Sequence, residues 1–200
     1  MQLYRYFAVS ACCAILALPV VSFAQAEGGA KPNVAPATPA APTSIAPAES
    51  LNALLGLIEK EVVGAAEAMP AEKYDFAPSG PGDFKGVRTF GAQVRHIAQA
   101  NYEFFKGWNV PGGVDPKSLD SLKTKDELVK ALQDSFTYAH AAISTITPEN
   151  AFATVPGPPE LKLTRVSVAA FSVAHPEDHY GQMVEYLRMN GIIPPASRKQ

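Results

Sequence analysis

Two histidines stand four residues apart in the segment His175-Pro-Glu-Asp-His179, inside a stretch patterned as a helix. On a helix an i,i+4 pair projects from one side with the imidazoles ~40° apart, which is half of a tetrahedral or octahedral metal site. The zinc-protease motif HExxH is excluded, because Pro176-Glu177 stands where that motif needs Glu and then any residue. A third imidazole, His96, lies in an earlier helical stretch, ~140° from the centre of its bulky stripe. It falls among Ala92, Gln93, Ala100, Glu103 and Gly107, while Arg95, Gln99 and Lys106 take the solvent side. Such small neighbours leave room for a site. Three imidazoles from two helices would keep coordination positions open for water or substrate, as in a catalytic rather than a closed structural centre.

Two plainer readings stand beside this one: His96 as a boundary histidine bonded to a carbonyl, and His175 and His179 as helix-cap or core-edge histidines. His140 has no partner at ligand spacing and reads as solvated or core-edge. Glu103, Glu177 and Asp178 read as an exposed helix face, with orientation of an imidazole as the alternative.

The elements that must carry these residues are four helical stretches separated by Pro and Gly. The first, about Ala48 to Ala68, places Leu51, Leu54, Leu55, Ile58, Val62 and Ala65 on one face and stops at Met69-Pro70. A Gly/Pro-rich loop runs to about Arg88. The second helix, about Thr89 to Trp108, carries Phe90, Val94, Ile97, Ala98, Asn101, Phe104, Phe105 and Trp108 in one stripe. The third begins at the capping-box pattern Thr124-Lys-Asp-Glu127 and runs to about Thr145. The last spans roughly Arg165 to Asn190, with Asn190-Gly191 and Pro194-Pro195 as its stop. Pro176 should kink this helix or start a new segment. No convincing strand pair is present. The expectation is an all-α four-helix bundle, up-and-down in its simplest form, with the long first loop allowing a crossover.

Residues 1–26 read as a secretory signal: Arg5 gives a positive start, Phe7 to Phe23 is almost wholly apolar, and Ala24-Gln-Ala26 offers small residues for cleavage after Ala26. Pro19 and a short apolar core argue against a membrane anchor. Val9-Ser-Ala-Cys12 superficially matches a lipoprotein box, but too few apolar residues precede it. Residues 27–47, rich in Ala and Pro, read as a disordered linker, which leaves residues 48–200 as the folded domain. The chain is therefore expected outside the cytoplasm, periplasmic or secreted, with no stable membrane span once the signal is removed. Cys12 and Cys13 both leave with that signal, so disulfides, thiolate ligands and a cysteine nucleophile are excluded from the mature chain. Seventeen Lys+Arg against nineteen Asp+Glu, with no basic run, give no footprint for nucleic acid.

The pattern resembles the DinB-like (DinB/YfiT-like) family of four-helix-bundle metalloproteins. Three segments carry the resemblance: Phe90-Gly-Ala-Gln-Val-Arg-His96-Ile-Ala-Gln-Ala-Asn-Tyr102, His175-x3-His179-Tyr-Gly-Gln182, and Tyr186-Leu-Arg-Met-Asn-Gly191-Ile-Ile-Pro-Pro195. The resemblance implies a divalent ion held by His96, His175 and His179, with Gln182 in a supporting role, and Pro176 departs from the family pattern. It also implies either a thiol-dependent transferase, the metal lowering the thiol pKa, or metal-assisted hydrolysis. Export weighs against the thiol route, since such cofactor thiols are chiefly cytoplasmic. A non-catalytic metal- or small-ligand-binding module is the alternative. Zinc is preferred, with nickel, iron and manganese compatible. The substrate is not legible, and exposed apolar shoulders at Tyr102 and Trp108 would suit a homodimer.

Overall fold

Helix α1, Pro47–Ala68, begins on a proline whose fixed φ suits the first helical position, and ends at Met69, just before Pro70. The computed structural model to which it belongs describes residues 44–79, 85–158 and 160–199, all within one compact unit. The proposed signal and all but the last few residues of the linker lie outside the described residues. Helix α2, Phe90–Phe104, starts at Thr89, whose hydroxyl accepts from the Ala92 N–H. Helix α3, Lys125–Ile143, starts at the Thr124/Glu127 capping box that the sequence predicts. Helix α4, Arg165–Met189, uses a second box from Thr164 and Ser167. Three short 3-10 turns, Ala71–Lys73, Pro116–Ser121 and Pro195–Ser197, complete the helical elements. The β pairing among the described residues is a single bridge between Thr154 and Thr164.

The side-by-side helix pairs are α2 with α3, α1 with α4, α1 with α3, and α2 with α4. Helices consecutive in sequence are therefore neighbours only at α2–α3; α1 to α2 and α3 to α4 are diagonal moves. The long first loop does make the crossover that its length allows, and a simple up-and-down order is not what forms. That loop is tied down locally. The N–H groups of Phe90 and Gly91, orphans at the start of α2, donate to the carbonyls of Phe76 and Tyr74 at 2.8 Å each. Tyr74 in turn donates its hydroxyl to the Ala66 carbonyl. A Cβ at Gly91 would stand 3.0 Å from the Tyr74 ring and 3.3 Å from its carbonyl oxygen, so any larger residue there would press the loop away from the start of α2.

The core gathers Leu55, Val62, Phe90, Ile97, Phe105, Leu132, Phe136, Met183 and Leu187, all buried. Four details differ from the sequence reading. Leu54 is 49% exposed, because α3 and α4 cover only part of the α1 stripe. Helix α2 stops at Phe104 rather than Trp108, and the chain turns through Gly107 and Asn109, both at positive φ. Helix α4 is one unbroken helix through buried Pro176, with no new segment there. Tyr102 and Trp108 are not exposed shoulders: Tyr102 is buried against Tyr138, and Arg165 covers the Trp108 ring at 4.0 Å.

Candidate metal centre

Helices α2 and α4 run past one another in opposite directions, and their facing residues form a ladder. Gln93 meets Gln182, His96 meets His179 and His175, and Phe104 meets Phe171. On each helix the rungs recur at three- or four-residue steps: Gln93, His96, Ala100 and Phe104 on α2, and Phe171, His175, His179 and Gln182 on α4. This is the one-face spacing of an α-helix. Ala100, the smallest residue of the row, stands where a larger side chain would fill the space before His175.

The three imidazoles converge. Ring centroids lie 5.1 Å apart for His96 and His175, 4.7 Å for His96 and His179, and 4.6 Å for His175 and His179. One ligand nitrogen from each falls within 4.8 Å of the others, so the group can hold a metal ion. His179 is buried and the other two are half-buried. Burial pushes His96 and His175 down from 6.5 to about 4, and moves His179 in the same direction. Repulsion within the cluster and the charge of Arg88 reinforce the shift at all three, while Asp178 opposes it at His175 and His179. Near neutral pH the imidazoles are therefore uncharged, the form that ligates.

The donor set fits a divalent ion. Nε2 of His175 and Nε2 of His179 face each other at 3.2 Å. Zn–N bonds of about 2.0–2.1 Å put two tetrahedral ligand nitrogens about 3.3–3.4 Å apart. The buried Nδ1 of His175 has no hydrogen-bond partner among the described residues, so nothing diverts this ring toward a competing side chain. The Gln182 amide touches Nδ1 of His179 at 3.4 Å and donates to Asp178 at 3.2 Å. Gln93, buried, donates to the Gln182 carbonyl oxygen at 2.7 Å. Gln182 thus packs beside His179 rather than facing the other imidazoles, and Asp178, exposed as the sequence reading has it, accepts from the Gln182 amide.

His140 stands apart, between α3 and α1. Its Nδ1 contacts Asn52 Oδ1 at 2.8 Å and its Nε2 contacts Glu59 at 3.1 Å, with the ring seated over Gly56. It is a core-edge histidine that joins two helices. The sequence reading placed Gln93 beside His96 but missed Phe104, Phe171 and Arg88 as neighbours of the site. Phe171 was accessible to it, since Phe171, His175 and His179 share one i,i+4 row; Arg88, on a loop, carries no periodic signal.

Fold and site together define a class: a four-helix bundle that gathers three neutral imidazoles between two of its helices. Residues 54–183 match the model of the DinB superfamily, and the chain belongs to that superfamily. Among solved structures it is similar to a DinB-like protein, YjoA, from Bacillus subtilis, at 16% identity and a TM-score of 0.57, covering 76% of this chain and 99% of that one. No curated protein matches the chain.

Proposed function

We propose that this DinB superfamily member is an exported, divalent-metal-dependent enzyme of the transferase or hydrolase type, with His96, His175 and His179 as the ligands. The observation that carries the reading is the convergence of the three imidazoles at one point with one flank open. A bound divalent ion would supply Lewis acidity, lowering the pKa of a thiol or water nucleophile or polarising an electrophile. The protein's own contribution is positional. Gln93 and Gln182 close one end of the ladder and hold His179, and Phe104 and Phe171 cover the other end beside His175. The helix backbones fix the i,i+4 separation of His175 and His179 before any ion arrives, which limits the ordering that binding must impose.

Export rests on the apolar run Phe7 to Phe23 and the small residues around Ala26, followed by the Ala/Pro-rich tether to Pro47. No described helix is long and apolar enough to cross a membrane. Zinc is the first candidate ion, because three imidazoles with an open position are a common catalytic zinc set.

The test is elemental analysis of the purified protein beside His179→Ala, both prepared without a metal-binding tag. About one equivalent in the parent and little in the variant supports the centre. No metal in either after reloading with zinc, nickel and manganese overturns it.

A further inference from the structure

Against His96 and His175 lies a cleft of about 440 Å³, a size suited to a small organic molecule. Its walls are mostly carbon: Ala100 at the back, Pro116 on one side, and Phe104 and Phe171 packed edge to face at 5.2 Å. Phe171 is 55% exposed although it stands in the same row as two candidate ligands. Both rings also lean on His175, at 5.2 Å for Phe104 and 5.9 Å for Phe171, so the apolar wall continues into the imidazole cluster.

The polar groups at the rim are not equally available. Gln99 donates its amide to the Pro116 carbonyl and to Asp120, 3.0 Å each. Glu103 pairs with Lys106 at 3.9 Å. Lys117 lines the cleft, and its ammonium forms no ion pair among the described residues. The cleft thus presents an aromatic wall, one uncommitted cation and an inner end made of imidazoles.

We propose that this cleft seats the substrate, a small carboxylate with an aromatic or similarly bulky apolar body, which lies against Phe104 and Phe171 with its anionic group toward Lys117. The proposal deepens the metal-centre reading and rests on it for the chemistry performed there, but the cleft's selectivity belongs to Phe171 and Lys117, neither of which is a ligand. Burying a ring against two aromatic faces favours it over an alkyl stub of the same charge, and the ammonium favours a carboxylate over an alcohol of the same shape.

Calorimetric titration of the full chain, as purified, with 3-phenylpropanoate, propanoate and 3-phenylpropan-1-ol tests this, with metal content measured on each sample. The expected result is binding of 3-phenylpropanoate about ten-fold tighter than propanoate, a preference that Phe171→Ser reduces to within about two-fold. Lys117→Ala should weaken 3-phenylpropanoate and leave the alcohol unchanged. Circular dichroism on each variant checks the fold; Phe171 and Lys117 lie at the surface, so both variants should keep it. Metal present with no preference for the phenyl compound, or a preference that survives Phe171→Ser, overturns the proposal. Lys117→Ala acting equally on acid and alcohol overturns its anionic half. A preference intact in protein that takes up no metal even after reloading with zinc, nickel and manganese overturns the metal centre instead and leaves the cleft standing.

Discussion

His96 of α2 and His179 of α4 meet edge to face with ring centroids 4.7 Å apart, although more than half the length of the domain separates them in sequence. The contact joins two adjacent antiparallel helices, and the relative height of these helices sets whether three imidazoles share one point.

Metal should therefore stabilise the fold by bridging α2 and α4. Ion at a hundred times its dissociation constant adds about 2.7 kcal/mol to the native state. A domain of this size should then gain roughly 5–10 °C in Tm. Differential scanning calorimetry with and without chelator reads this, and an unchanged Tm in His96→Ala on adding zinc identifies the bridge as its source.

Acid should weaken the metal-free protein in a defined window. His96 and His175 sit at about 4 in the folded chain against 6.5 for an unhindered histidine. Between those values the unfolded chain holds more protons, so stability falls as pH drops from 6.5 toward 4 and is flat just above neutrality. Urea midpoints at pH 7, 6 and 5 measure it. His96→Ala should flatten the slope, and an equal slope in the variant would place its cause elsewhere.

Gln182→Ala removes the amide that touches His179 and accepts from Gln93. A ligand that loses such support typically binds its metal about ten-fold more weakly. Competition with a zinc chelator should show this with secondary structure unchanged, and His140→Ala should leave affinity as it was, because His140 faces Asn52 and Glu59 on α1.

Gly91→Ala tests the crossover loop. The new methyl would press on a Tyr74 ring already fixed through its hydroxyl on Ala66, so the loop or the start of α2 must shift. The expected cost is about 1–3 kcal/mol, read as a lower urea midpoint with unchanged slope.

Much of this was legible in the residues. Helix limits followed from Thr124, Pro70 and Gly191, and the ligand candidates from the i,i+4 pair plus a histidine opposite a bulky stripe. The order of helices around the bundle was not legible, because amphipathic stripes say which face is covered but not by which partner. Trp108 misled for a related reason: its apolar period continues past Phe104 while the backbone, turning at Gly107, does not. Pro176 allowed a kink or a new segment, and the structure excludes the second, since α4 continues through it as one helix. One missing N–H hydrogen bond is a local loss, and burial of this proline among the packed helices holds α4 in one piece.

The Gln93–Gln182 rung links positions 89 apart in the chain, with all of α3 between them. Helices α1 to α3 are therefore synthesised before His175 and His179 exist, and a chain cut short ahead of α4 keeps only His96 of the three candidate ligands. No nascent fragment can hoard the ion. If the chain crosses a membrane unfolded, as proposed above, its metal would come from the destination compartment, and the supply there, more than the affinity series of the free ions, would decide which element the finished protein carries.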